Sequence, residues 1–330
     1  MKKWAFTLGL DVSKKTLDFY YVFLHQHIRI TNDAVGFKVF KKWCRENKIN
    51  LKTCLIVLEH TGGYEYLFLQ FCQSSSISYL RVPGLEIKKS LGISRGKNDK
   101  VDAKRIAEYA DEKNYKLDAS KPLNKVFVQM RSLVSFRKRL VRDRAGFQAT
   151  VKERKGMYEC SESDLIIRVT RREIKIITND IKEIEVQLMK YVSSDEKMNF
   201  NYSILTSIKG IGMVNALMTI VFTENFTSFP SAKAYAVYAG VVPFDNTSGT
   251  SIKGRKKVSH LANKEIKSEL NQAAKSAISH DPELKDYAIR KLENKPYPVV
   301  LNNVKYKLIL RMFSLVKRGE KYVENYQNAA

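Results

Sequence analysis

Short apolar and aromatic runs at residues 4–12 and 17–24 are bounded by polar, turn-forming residues. Runs of this length and composition predict strands, and 27–31 predicts a third, shorter one. From 35 to 47 the period changes, with Phe37, Phe40 and Trp43 on the spacing of one helical face. Residues 54–58 are uninterrupted and apolar, which suits a strand buried on both faces. A helix over 64–73, a strand over 77–82 and a helix over 99–113 follow. Hairpin strands first and strand–helix alternation afterwards predict a mixed sheet with helices on its faces.

The middle of the chain differs in kind. Val126, Leu133, Leu140 and Phe147 recur every seven residues, with Met130 and Val151 in intervening seam positions. Ile174, Ile177, Ile181, Ile184, Leu188 and Tyr191 alternate spacings of three and four. Both series are coiled-coil signatures, and Gly156 with the polar residues 160–163 offers a place to reverse. Two long helices are expected, as an antiparallel hairpin or an oligomerisation arm, with two ordinary bundle helices as the competing reading. Beyond residue 201 the pattern is helical. Ser231 is placed to cap a helix that Gly240 ends and Pro243 stops. A loop over 241–257, rich in Ser, Thr, Gly and Lys, precedes helices at 262–279, 282–294 and 299–317. The organisation expected is an α/β domain over 1–118, a coiled-coil arm over 119–198 and a mainly α-helical domain over 199–330.

Charge narrows the class of partner. The 330 residues hold 58 Lys and Arg against 34 Asp and Glu, a formal net charge of +24. This exceeds what solubility requires and points to a polyanion. Nucleic acid is favoured over a membrane, because no basic amphipathic helix adjoins an anchor or lipidation motif. No apolar run approaches the roughly 20 residues needed to span a bilayer, and Asp11 interrupts a faintly signal-like start. A soluble, cytoplasmic protein is expected. Four widely spaced cysteines exclude a disulfide framework and a Cys-type zinc site. Residues 121–172 alone carry 14 Lys and Arg against 5 Asp and Glu, a strip suited to tracking phosphates. Arg137, Lys138, Arg139 and Arg142 are its candidate contacts, and a solvated charged face is the alternative.

Four acids carry the strongest chemical signal. Asp11 ends the first strand in Leu10-Asp11-Val12-Ser13-Lys14, on the same face as Thr7 and the small Gly9. Glu59 ends the apolar strand, immediately before His60-Thr61-Gly62-Gly63-Tyr64. Asp99 and Asp102 are three residues apart at a helix start and share a face. Carboxylates gathered from strand ends and an overlying helix need a counter-cation. Hard divalent ions with oxygen ligands, above all Mg²⁺, supply it, and two of them can assist displacement at a phosphodiester. Singly, each acid has a plainer role: Asp11 in a turn, Glu59 on the surface, Asp99 as a helix cap, Asp102 favouring the helix dipole.

Two weaker motifs lie in the second half. Thr247-Ser248-Gly249-Thr250-Ser251 precedes Lys253, Arg255, Lys256 and Lys257. There a serine nucleophile, a close approach of phosphate at Gly249 and cations to hold it are conceivable, or simply a turn. Ile208-Lys209-Gly210-Ile211-Gly212 is similar to a helix–hairpin–helix element that grips phosphate through backbone N–H groups at Lys209, Gly210 and Gly212, or is an ordinary helix–helix turn.

The order and setting of these motifs, with Lys97-Asn98-Asp99-Lys100-Val101-Asp102-Ala103 and Tyr238-Ala239-Gly240-Val241-Val242-Pro243, resemble the DEDD transposases of the IS110 insertion-sequence family. That family includes the pilin-gene DNA invertases, and the resemblance covers nearly the whole chain. It implies an RNase H-like (RuvC-like) N-terminal domain whose acids, here Asp11, Glu59, Asp99 and Asp102, bind Mg²⁺, two ions being expected and Mn²⁺ a substitute. It implies a catalytic serine, mapping onto Ser248, that forms a phosphoserine link to DNA during strand exchange. It further implies a homo-oligomer, dimer or tetramer, acting on donor and target double-stranded DNA with a structured guide RNA. The competing readings are a RuvC-like endonuclease using metal-activated water, which dependence on Ser248 separates, and a non-catalytic nucleic-acid-bridging protein, against which the acidic quartet argues.

Overall fold

In a computed structural model of the chain, the structure describes residues 2–60, 62–90, 98–248, 252–259 and 262–324. The chain divides into two compact units, Met1–Asn124 and Lys125–Ala330.

The first unit is built on five strands. β1 (Phe6–Val12), β2 (Thr16–Tyr21) and β3 (Gln26–Thr31) form an antiparallel meander. After α1 (Ala34–Glu46), β4 (Cys54–Glu59) lies parallel to β1. After α2 (Tyr66–Ser74), β5 (Ser78–Val82) lies parallel to β4. The order across the sheet is β3-β2-β1-β4-β5. Apolar alternation assigns the faces. Leu8, Leu10, Phe19, Ile56 and Leu58 pack with Phe37, Phe40 and Trp43 of α1 and Phe68 of α2. The Phe19 and Phe40 rings stack with centroids 4.2 Å apart. On the other face Leu55 and Val57 meet Ile106 and Ala110 of α4 (Asp99–Glu112), and Tyr20 meets Ala103 and Ala107. A Cβ at Gly9 would lie 2.2 Å from the Ala107 nitrogen and 2.3 Å from the Ala103 oxygen, so only glycine lets α4 lie this close to β1. A short helix absent from the sequence reading, α3 (Gly84–Ser90), precedes α4. The Tyr109 hydroxyl donates to Glu86 at 2.6 Å and ties the two together.

The second unit opens with the two long helices, α5 (Lys125–Gly156) and α6 (Leu165–Ser193). They run antiparallel, as their cross-links require: Tyr191 reaches Gln129, Arg137 pairs with Glu185, Arg144 reaches Thr178 and Arg154 pairs with Asp164. The heptad residues lie inward: Met130, Leu140, Ile177, Ile181, Ile184 and Leu188 are buried. The limit expected near residue 198 does not divide two cores. Phe127, Met130, Leu188 and Val192 share one hydrophobic cluster with Ile204, Leu217, Ala274 and Leu308. The hairpin's base is apolar beyond its own seam and so joins the helices that follow.

Those helices are α7 (Glu196–Ser207), α8 (Met213–Thr223), α9 (Ala232–Tyr238), α10 (Lys264–His280), α11 (Pro282–Leu292) and α12 (Tyr297–Arg318). Ser231 caps α9 by accepting from the Ala234 N–H, and Gly240 follows it at φ +66 with its N–H on the Val237 carbonyl. Asp281, 1% exposed, caps α11 and pairs with Arg311 of α12 at 2.5 Å, while Tyr322 donates to it. One segment corrects the sequence reading: 241–257 is not all loop. Within it β6 (Phe244–Ser248) and β7 (Ile252–Lys257) pair antiparallel, with an irregularity between Phe244 and Asn246. The segment is rich in Ser, Thr, Gly and Lys, so no apolar alternation signalled the ribbon.

Among the described residues no helix is long and apolar enough to cross a membrane, and Cys44, Cys54, Cys72 and Cys160 are free thiols.

Candidate active site

Three of the four candidate acids converge where α4 crosses the sheet. Asp11 follows Thr7 and Gly9 on the face of β1 that α4 covers. The N-cap of α4 is Asn98, whose side chain accepts from the Val101 N–H at 2.8 Å. Asp99 is therefore not the cap; its carboxylate, with that of Asp102, stands in the first turn. Burial comes first in pushing the Asp11 carboxyl up to about 6, and the negative charges of Asp102, Asp99 and Asp18 add to it.

Asp18, which sequence reasoning missed, is the direct cross-strand partner of Asp11. Two like charges facing each other across strands are destabilising, and Asp18 is only 1% exposed. Its charge is met from the next strand. Arg29 donates through Nε to both Asp18 oxygens at 3.0 and 3.1 Å, and His27 Nε2 lies 2.7 Å from Oδ1. The same guanidinium donates through Nη2 to Asp99 at 2.6 Å. These carboxylates hold the Arg29 guanidinium more firmly charged than usual, its hydrogen bond to Asp18 contributing most. The available signal was an acid inside the otherwise apolar and aromatic strand Thr16-Leu17-Asp18-Phe19-Tyr20-Tyr21, with an arginine one strand away.

Glu59 ends β4 on the face shared by Leu55 and Val57, opposite Val82 of β5. It is not among the charges that raise Asp11. Its carboxylate rests instead against Gly84 at the start of α3, where a Cβ would come within 1.9 Å of Oε1. Because Tyr109 and Glu86 pin α3, Gly84→Ala is expected to move the Glu59 carboxylate rather than the helix. Recombination in a strand-exchange assay should fall by up to about a hundredfold, the order expected when a reacting constellation is misplaced by about 1 Å, with a thermal midpoint close to that of the unaltered protein. An unchanged rate would separate Glu59 from the site.

Among the described residues no three His, Cys, Asp or Glu side chains already stand as a metal-ligand set. The donor chemistry nonetheless fits a hard cation. Asp11, Asp18, Asp99 and Asp102 are clustered oxygen donors, two of them held by the Arg29 guanidinium, and burial with the neighbouring negative charges disfavours ionisation of Asp11.

The second unit holds the remaining candidates. Ser248 closes β6 opposite Ile252, and Lys253 stands opposite Thr247 in β7. Gly249, Thr250 and Ser251 lie outside the described residues. Lys253, Arg255, Lys256 and Lys257 all fall on β7. Much of the basic strip is engaged within the helices. Arg137 pairs with Glu185 at 2.6 Å and Lys138 with Glu265 at 2.9 Å. Arg139 covers the Phe136 ring, and Arg142, with its side chain 77% exposed, neighbours Asp143. At the glycine pair, Gly210 (φ +89) faces the α10 backbone, where a Cβ would lie 2.6 Å from the Ala273 oxygen. Gly212 begins α8 with open space around it, and Lys209 pairs with Glu324 at 3.2 Å.

Two family profiles match the chain: a DEDD transposase profile of IS110 type over residues 8–153 and a transposase profile of the IS116/IS110/IS902 family over 202–288. The first spans the acids and the second spans Ser248 and the β6–β7 hairpin. The chain belongs to the IS110 family of transposases. It is similar to the pilin gene-inverting proteins of Moraxella lacunata and Moraxella bovis, each 28% identical over 270 residues that make up 80% of this chain and 80% of theirs. It is also 30% identical over 120 residues to an uncharacterized 43.6 kDa IS110 protein of Streptomyces coelicolor, covering 36% of this chain and 29% of that one. As a transposase it acts on DNA, which accounts for the +24 charge as composition alone could not.

Proposed function

We propose that this transposase cuts and rejoins DNA through Ser248, with Asp11, Glu59, Asp99 and Asp102 as the ligands of Mg²⁺ in an RNase H-like domain. The observation that carries the reading is the crowding of Asp11 by Asp102, Asp99 and Asp18, beneath a helix that only Gly9 admits. The strand order β3-β2-β1-β4-β5, with acids on β1 and at the end of β4, supports the RNase H-like assignment. Mg²⁺ bound by these carboxylates would neutralise them and stabilise charge developing on phosphodiester oxygens.

Ser248 Oγ attacks the phosphorus. One P–Oγ bond forms, one P–O bond to a sugar breaks, and the released sugar oxygen takes a proton. The ester count is conserved, so a sugar hydroxyl from another strand reverses the step without a further energy source. Lys253, Arg255, Lys256 and Lys257 follow on the same hairpin and balance the phosphate charge. A structured guide RNA pairs with donor and target duplexes, and the α5–α6 hairpin serves as the coiled-coil arm of a homo-oligomer. The exposed Met157, Tyr158, Leu165 and Ile166 at its turn support the last point.

The test is to denature reactions on labelled DNA and map the modified residue. An adduct on Ser248 is expected, lost in Ser248→Ala and when the divalent ion is chelated. Normal recombination by Ser248→Ala, or free hydrolysed ends in place of an adduct, would favour hydrolysis by water at the acids.

A further inference from the structure

The hairpin that bears Ser248 rises from one side of a cleft of about 1030 Å³ in the second unit. Val242 and Pro243 lead into β6, Val258 leaves β7, and the opposite wall is α10 and the first turns of α12. The lining includes Lys267, Lys295 and Lys305 and no carboxylate among the described residues. Lys305 is only 3% exposed. Among the described residues none of the three ammonium groups has an ion-pair partner. Lys267 reaches over Gly240 from α10, near enough that its charge adds to the burial that pushes the Lys305 amine down to about 8. The positive end of α12 opens on the same space, because its first turn has no side-chain cap and includes Pro298 and Val299.

An uncompensated buried ammonium is unfavourable, and here a second one is held against it. An anion entering the cleft relieves both. The rest of the lining is not that of a bare phosphate site. The Tyr306 ring, Val242 and Leu301 offer surface for a flat ring, and Asn271 and Asn303 offer both donors and acceptors. A duplex keeps its phosphates on the outside of a stiff rod, and these do not reach a lysine at the bottom of a cleft. A strand with one nucleotide turned out of the stack does.

We propose that this cleft holds an unpaired nucleotide of a DNA strand, its phosphate on Lys267 and Lys305 and its base beside Tyr306. The choice of DNA over RNA rests on the reading that Ser248, on the adjoining hairpin, attacks DNA. The cleft then seats a nucleotide near the scissile phosphate once the duplex has been opened.

Binding of a fluorescent ten-nucleotide thymidine strand to the full chain, with divalent ions chelated, tests this without any reaction. Duplex DNA and a ten-nucleotide uridine RNA of equal length are the parallel arms. Lys305→Met and Lys267→Gln are each expected to weaken the thymidine strand about tenfold and to leave duplex affinity within twofold. Lys305→Met should also not lower the unfolding midpoint, since it removes a buried charge; should it fail to fold, the half-exposed Lys267→Gln carries the comparison. A strand with 5-bromouracil at one position should crosslink on irradiation to the peptide containing Tyr306. Equal losses for duplex and single strand, a loss confined to RNA, or no loss would each overturn the proposal. If Ser248 forms no adduct while thymidine binding still depends on Lys305, the nucleophile assignment fails and the cleft stands.

Discussion

Asp11→Asn is expected to abolish recombination while making the metal-free protein more stable at neutral pH. Removing one carboxylate from a metal-dependent phosphodiester site forfeits several kcal/mol of transition-state stabilisation, about a thousandfold in rate or more. The stability effect has the opposite sign. The folded Asp11 titrates at about 6 rather than the usual 3.8. Between these values the folded state holds a proton that the unfolded chain has lost, so stability falls as pH rises through this window. The loss is complete above about 6 and absent below 3.8. The interval would correspond to roughly 3 kcal/mol for a fully shielded carboxyl, and to about 1–2 kcal/mol for one that keeps some solvent. Denaturant unfolding of metal-free protein at pH 4 and pH 7.5 checks it. Asp11→Asn should gain at pH 7.5 relative to the unaltered chain and much less at pH 4. Mg²⁺ should raise the midpoint of the unaltered chain more than that of the variant. Matching pH slopes for the two proteins would mean that Asp11 is not crowded.

Gly9→Val should cost about 3 kcal/mol or more and activity with it. A Cβ at this position meets main-chain atoms of α4 at 2.2 and 2.3 Å, and a rigid backbone has no rotamer through which to yield. The helix must lift from β1, carrying Asp99 and Asp102 away from Asp11 and opening the contacts of Ala103 and Ala107 with Tyr20. A lowered unfolding midpoint together with lost strand exchange is the expected pair of results. Full activity in Gly9→Val would show that the placement of α4 does not matter to the site.

Which elements form was largely written in local patterns. Phe37, Phe40 and Trp43 specify the inner face of α1 because apolar residues on helical spacing have one way to be buried together. The heptads at Leu140 and Ile181 likewise specify a pair of long helices, and Ser231 and Gly240 mark the ends of α9 through capping chemistry that is local by nature. The candidate acids were visible because strand-end and helix-start positions can be read from the same periods. The β6–β7 ribbon and α3 were not, since neither stretch is long and apolar enough to display a repeat.

By itself, then, the sequence determined the elements, the four candidate acids, the serine and the excess of positive charge. Tertiary structure decided their surroundings. It set Asp18 opposite Asp11 and drew Arg29 to Asp99 from 70 residues away. It placed Gly84 against Glu59, turned Arg137 to Glu185 and Lys138 to Glu265, and left Lys305 buried near Lys267 with no ion-pair partner among the described residues. Secondary structure follows short-range periods that any stretch of sequence displays. The charge beside a given side chain depends on which distant strand or helix the register and packing bring against it, and no local pattern encodes that.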